Sequence, residues 1–224
     1  MRYHETHAWV RYMELREQRP AAFQQGMLEI ITDPDTVDAY CETTGKRLGV
    51  LYESPYHLLV VDLVRQVAEG DAAGSGKPFS YERMLPAVAS GAVVAIPVYQ
   101  GRFVLLRQYR HALREYMLSF PRGFGEVGIS GRDNLCKELH EEIGAQEVKN
   151  IKRLGTVAAD SGILGTKAEV FCCEVDCLCS RKGYEGIESL ELLSQSELSD
   201  KIRAGAISDG FTLAAFALYM ADNT

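Results

Sequence analysis

The sequence predicts an α+β protein of layered strands and helices. Strand-like and helix-like runs are mixed, without the regular alternation that a doubly wound parallel sheet requires. With 46% hydrophobic and 25% charged residues over 224 positions, the composition is that of an ordinary globular chain with ample core. Pro, Gly and capping residues punctuate the chain where such elements begin and end.

The segment ETHAWVRYMELREQR favours a helix until Pro20 interrupts it. Asp33-Pro34 starts a second helix, with Asp as cap and Pro in the first helical position, and Gly45 stops it. RLGVLYES and HLLVVDLVRQ read as strands joined at Ser54-Pro55. The small, Gly-rich AEGDAAGSGKP reads as a linker. It suggests a division into an N-terminal helical and β element, residues 1–88, and a second domain, residues 89–224. GAVVAIPVYQ and RFVLLRQYR form a hairpin that turns at Gln100-Gly101. LSFPRGFGEVGISG is expected to be a loop. The helix RDNLCKELHEEIG follows, with Ser130 and Asp133 as a variant capping box and Gly144 as its stop. VKNIKRLGTVAAD and AEVFCCEV are strands, and GYEGIESLELLS is a loop running into another. Ser194 and Glu197 form a capping box ahead of the helix ELSDKIRAG, which Gly205 ends, and SDGFTLAAFALYMA is a final apolar helix.

The charge balance, 24 basic against 31 acidic residues, leaves a net charge of −7. That argues against binding a nucleic acid polymer, which needs a basic face. A single nucleotide remains admissible, because one pocket can be basic on an acidic protein. The polar N-terminus does not read as a signal peptide. The apolar runs fall short of the ~20 residues of a membrane helix, so no membrane partner is expected and the setting reads as cytoplasmic. Four of the six cysteines cluster in CCEVDCLC. Cys172 and Cys173 point to opposite faces of a strand, which argues for reduced thiols rather than a zinc site.

The chemistry concentrates in KELHEEIG. Glu138, Glu141 and Glu142 stand at i, i+3 and i+4, which gathers three carboxylates on one helix face, with Leu135 and Leu139 on another. Taken alone, such a face is a solvated acidic surface. A Gly-rich loop launches this helix, however, and converging oxygen donors suit Mg²⁺ or Mn²⁺.

The run GFGEVGISGRDNLCKELHEEIGA resembles the signature of the Nudix hydrolases, G-x5-E-x7-R-E-U-x-E-E-x-G-U, with U aliphatic. Gly123, Glu138, Leu139, Glu141, Glu142, Gly144 and Ala145 match in register. Two positions depart: Ile129 stands at the first Glu and Lys137 at the Arg. In the family these two brace the loop against the helix. Apolar packing of Ile129 or the charge of Glu126 is expected to replace that brace. FVLLRQYRHALREYMLSFPRG and LGTVAADSGIL are similar to segments of the ADP-ribose pyrophosphatase branch, with Asp160-Ser161-Gly162 in place of a Ser-Pro-Gly element. The resemblance spans roughly residues 90 to 220.

The resemblance implies a Nudix-like α/β/α sandwich with a mixed sheet, an N-terminal β element and a homodimer. It implies hydrolysis of a phosphoanhydride in a nucleoside diphosphate linked to X, with ADP-ribose or a related nucleotide sugar as small-molecule substrate. The metal, Mg²⁺ or Mn²⁺, falls to Glu138 and Glu142, with Glu141 sharing and the carbonyl of Arg122 adding a ligand. Glu185 is the expected base in a later loop, with Glu188 second. Substrate contacts fall to Arg110, with Arg107 and Arg114 as alternatives, and to Gly123 and Ser161. Tyr56, Tyr109 and Tyr116 are the aromatics available for stacking on a base, and His111 and His140 are the histidines nearest the motif. A competing reading is a nucleotide-sugar sensor of the same fold with weak or no turnover.

Overall fold

The computed structural model describes residues 2–67, 76–179 and 181–222. Most of the linker read at AEGDAAGSGKP lies outside the described residues. The chain divides into two compact units, Met1–Ala87 with Asp160–Thr166, and Val88–Ala159 with Lys167–Thr224.

In the first unit, α1 (His7–Gln18) and α2 (Pro34–Thr44) accompany a four-stranded antiparallel sheet. Asp33 caps α2 by accepting from the Thr36 N–H, and Gly45 leaves it in the left-handed conformation. The long strand β3 (His57–Gln66) pairs with β4 (Phe79–Pro86) on one side and with β1 (Leu28–Ile30) and β2 (Gly49–Glu53) on the other. Trp9, Tyr12, Leu15, Leu48, Leu58 and Leu63 fill its core. The short β1 and the polar β4 were not apparent in the sequence. Segment 160–166 joins this unit through the Met84 N–H to Ile163 carbonyl bond and a parallel bridge from Met84 to Leu164.

The second unit is a mixed seven-stranded sheet between helices. The strand order is β11 (Ile187–Leu193), β6 (Arg102–Arg110), β5 (Val93–Tyr99), β10 (Ala168–Val175) and β9 (Val148–Val157). The two short strands β7 (Glu115–Ser119) and β8 (Arg122–Gly123) add to β6 and β5. Strands β5 and β10 run parallel, and the other pairs are antiparallel. Alternation along the strands divides the core. Val93, Ala95, Phe171 and Cys173 face α3 (Gly131–Ile143), packing on Leu135, Leu139 and Ile143. Val94, Ile96, Val170 and Cys172 face the other way, against Leu198 of α4 (Gln195–Arg203) and Phe216 of α5 (Gly210–Asp222). The result is an α/β/α sandwich, with Cys172 and Cys173 in opposite layers.

One correction concerns the loop expected at LSFPRGFGEVGISG. Leu118 and Ser119 belong to β7, and Arg122 and Gly123 to β8. The glycine-rich stretch is therefore anchored by a strand pairing, Val93 with Gly123 and Val94 with Arg122, before it turns free.

Candidate active site

Helix α3 carries the candidate residues, and its ends are locally specified. Ser130 accepts from the Asp133 N–H at the N-terminus, and Gly144 closes the helix with φ of 71°. With Leu135, Leu139 and Ile143 facing the sheet, Glu138 and Glu142 lie on the adjoining face, toward the loop. Glu142 is only 3% exposed, and its Oε2 accepts from the Arg122 N–H at 3.2 Å. Gly123 lies directly against Glu138. A Cβ at residue 123 would stand 2.5 Å from Glu138 Cγ and nearer still to its carboxylate.

Burial governs the electrostatics here. It pushes the Glu142 carboxyl up to about 8, and the charges of Glu138 and Glu185 add to the shift against the Arg122 N–H and Arg110. Glu138 is pushed up to about 7, again chiefly by burial, with Lys137 opposing and Glu141, Glu185 and Glu126 adding. Two desolvated carboxyls one helical turn apart thus share a site where neither is comfortable ionised.

The third carboxylate is engaged elsewhere. Lys137 Nζ is 2.5 Å from Glu126 Oε1 and 3.3 Å from Glu141 Oε2, and the Tyr184 hydroxyl donates to the same Glu141 oxygen at 3.4 Å. Lys137 thus ties the loop to the helix through Glu126. Ile129, the other candidate for the brace, is only part-buried and belongs to neither core layer.

Arg110, on the same side as the carboxylates, donates from Nη2 to Ser119 Oγ at 3.0 Å. Its Nε is buried without a hydrogen-bond partner among the described residues. Burial, and then the neighbouring Arg122, hold its guanidinium below the usual range. Arg107 is ion-paired with Glu188 and lies over the Tyr116 ring at 5.2 Å, so Glu188, the second choice for the base, is a structural partner. Arg114 contacts His111 at 3.4 Å. Glu185 is exposed and sits at φ 45°, ψ 30°, a strained conformation for a residue with a side chain, between Gly183 and Gly186. Its carbonyl accepts from Gln108 Nε2 at 2.9 Å, and its charge reaches both Glu138 and Glu142. Tyr109 and Tyr116 pair edge-on with each other at 5.4 Å. His140 is exposed, with Nδ1 at 3.1 Å from the Ala145 carbonyl oxygen. Ser161 and Tyr56 belong to the first unit.

Sequence reasoning missed three groups. Asn134 is fully buried under the loop. Asp209, 7% exposed, pairs with the Arg122 guanidinium at 3.3 Å and accepts from both the N–H and the hydroxyl of Thr212. Thr212 in turn accepts from the Phe120 N–H at 2.9 Å, while Phe211 lies 4.8 Å from the Arg122 guanidinium. An asparagine just past the first turn of a helix is the one local signal that pointed to any of them.

Among the described residues, no cluster of three or more His, Cys, Asp or Glu side chains is gathered to hold a metal. The buried carboxylate of Glu142 and the part-buried one of Glu138 remain, and they fit Mg²⁺ or Mn²⁺. Magnesium is usually held by one or two carboxylates, with water and substrate phosphates completing its shell.

A mixed sheet between helices, with a glycine-rich loop laid on an acidic helix, is the Nudix-like α/β/α sandwich that the resemblance implies. Among solved structures, the chain is similar to a crystal structure of an ADP compounds hydrolase, with a TM-score of 0.63 and 16% identity, over 88% of this chain and 95% of that one. In sequence it is similar to the ADP compounds hydrolase NudE of Escherichia coli (strain K12), 33% identical over 76 residues. That match covers 33% of this chain and 40% of the relative. No family model matches the chain. No helix among the described residues is long and apolar enough to cross a membrane.

Proposed function

We propose that the chain is a Nudix-type pyrophosphatase that hydrolyses the phosphoanhydride of a nucleoside diphosphate linked to X, with ADP-ribose or a related nucleotide sugar as substrate. The observation that carries this reading is the pair Glu138 and Glu142, two carboxyls held one turn apart in a desolvated site. Similarity to an ADP compounds hydrolase supports the substrate class.

Glu138 and Glu142 would hold Mg²⁺ or Mn²⁺, together with the carbonyl of Arg122. When bound, the metal neutralises diphosphate charge and acidifies a coordinated water. The chain's own residues do the rest. The Arg122 N–H holds Glu142 in place, and Gly123 leaves room for the Glu138 carboxylate. The buried, unpaired Nε of Arg110 offers a directed donor to a phosphate oxygen, and its position is fixed by Ser119. Glu185, exposed on a strained turn and exerting its charge on both carboxylates, would accept the proton of an attacking water. Glu141, tied to Lys137 and Tyr184, links α3 to the turn that carries Glu185. A cytoplasmic homodimer is part of the same proposal, and sedimentation of the full chain tests its oligomeric state.

The deciding experiment incubates the protein with ADP-ribose and Mg²⁺ and measures released AMP. Metal-dependent AMP release is expected, abolished by chelation and reduced in Glu142→Gln. Tight ADP-ribose binding without turnover would instead favour the sensor reading.

A further inference from the structure

Three consecutive residues, the two of β8 and the first of the loop after it, meet three successive turns of α3. The Arg122 N–H donates to Glu142 Oε2, Gly123 nests on Glu138, and the Phe124 carbonyl accepts from Asn134 Nδ2 at 2.7 Å. Residues 142, 138 and 134 are spaced by four, so they form one row along the helix. The loop runs down this row as the helix numbering falls, one residue per turn.

Asn134 makes the last rung and is 0% exposed. Its second amide hydrogen goes to the Gly91 carbonyl at 2.8 Å, so one side chain bridges two backbone segments. Gly91 lies two residues before β5, at φ of 87°, and a Cβ there would meet the Ile129 carbonyl oxygen at 3.2 Å and Gly125 Cα at 3.3 Å. The loop is thus wedged between the approach to β5 and the helix, and the Asn134 amide spans the wedge. Asn134 Oδ1, by contrast, is buried with no hydrogen-bond partner among the described residues. Asparagine is also a poorer helix former than alanine. Helix stability therefore does not account for this side chain, whereas its two N–H donors do.

We propose that Asn134 is the positioning residue of the site. Its amide sets the loop on α3 so that Gly123 seats the Glu138 carboxylate and the Arg122 N–H seats that of Glu142. The proposal rests on the reading of Glu138 and Glu142 as metal ligands in a nucleoside diphosphate hydrolase. Without the two donors the fold persists, but the loop rides higher and the carboxylates lose their common geometry.

Asn134→Asp keeps the shape and sets an oxygen against two carbonyls, while Asn134→Ala removes the bridge. Leu198→Ala, in the opposite core layer, serves as a destabilised control. Mn²⁺ binding to metal-free protein is read by electron paramagnetic resonance, and turnover of ADP-ribose is read as kcat and KM, both below each variant's melting temperature. Both Asn134 variants are expected to lose about tenfold or more in Mn²⁺ affinity and roughly 10- to 100-fold in kcat, the range typical of residues that orient metal ligands. KM should stay within about threefold, and Leu198→Ala should keep parental affinity and kcat, since its cavity touches neither loop nor carboxylates. Asn134 variants that match Leu198→Ala overturn the proposal. Should Asn134→Asp not fold, Asn134→Ser, which retains one donor, is expected to show an intermediate loss, and parental values there overturn the proposal equally. A parent protein that binds Mn²⁺ yet leaves ADP-ribose intact refutes the activity reading alone, and the Mn²⁺ comparison then decides Asn134. A parent that binds no Mn²⁺ removes both.

Discussion

Gly123→Ala is a small change with a large expected effect. A new Cβ would lie 2.5 Å from Glu138 Cγ, whereas ordinary contact begins at 3.4 Å, so that carbon must retreat by at least 0.9 Å (3.4 minus 2.5) and the carboxylate by more. The backbone at 123 does not occupy the left-handed region, so alanine meets no torsional objection there. The obstacle is the end of a flexible side chain, and Glu138 can relieve the clash by leaving its rotamer at a cost of about 0.5–1.5 kcal/mol. Stability should therefore change little. Displacement of a reacting group by about 1 Å can cost about 100-fold in rate, which is the loss expected in kcat for AMP release. Gly128→Ala in the same loop is the control. It sits at φ of 78° with nothing within 4 Å of its Cβ, so it should lose roughly 1–2 kcal/mol of stability and keep its kcat when folded. Thermal melts and steady-state kinetics of the two variants separate these effects. The reasoning fails if Gly123→Ala stays within threefold of the parent, or if Gly128→Ala loses as much rate.

In the metal-free protein, Glu138 and Glu142 titrate near 7 and 8, above the ordinary 4.5. Their folded values are raised, so the stability they confer is full below pH 4.5 and is lost as pH climbs through 7 to 8; denaturant melts should show a fall on the order of a few kcal/mol that Glu142→Gln reduces and Mn²⁺ reverses. Glu185→Gln should depress kcat by roughly 10²- to 10⁴-fold, as loss of a general base does, while Glu188→Gln, which only releases Arg107, should stay within a few-fold in the same AMP assay. Lys137→Arg should preserve the link to Glu126, whereas Lys137→Met should cost about 1 kcal/mol or less at this half-exposed site, measured by urea unfolding. Burial pushes the Cys173 thiol up to about 12, so iodoacetamide at pH 8 should label the exposed Cys179 first, as read by mass spectrometry.

What the sequence made legible was local. Asp33, Ser130 and Ser194 each cap the helix that follows, because capping depends only on the next three residues. The hairpin at Gln100-Gly101 was likewise written in two residues, both with positive φ. The strands β1 and β8, of three and two residues, are too short to show a period, and the polar β4 hides its alternation. The candidate site was legible where it follows the helix repeat, as with Glu138 and Glu142. It was illegible where the chain returns from afar. Asp209 reaches Arg122 across 87 positions, and Glu188 meets Arg107 only because β11 pairs with β6. Glu141 matches the signature and its i,i+4 ion pair with Lys137 follows the same helix repeat, whereas the link from Lys137 to Glu126 in the preceding loop does not.

The placement of the carboxylates argues for a cation more strongly than their number does. Glu141 and Glu142 occupy the last turn of α3, where the helix dipole presents its negative end and disfavours anions. Glu138 and Glu142, when ionised, also repel each other at positions where burial already disfavours charge. A solvated acidic surface would show none of this, because its side chains would turn outward and titrate normally. Here the Arg122 N–H and the close seat at Gly123 hold the two groups inward instead. Such an arrangement makes ionisation of both carboxylates unfavourable, and a divalent ion held by them would offset that repulsion. The same feature therefore predicts a metal-free protein that is weakest at alkaline pH and a metal affinity that rises as the two protons leave.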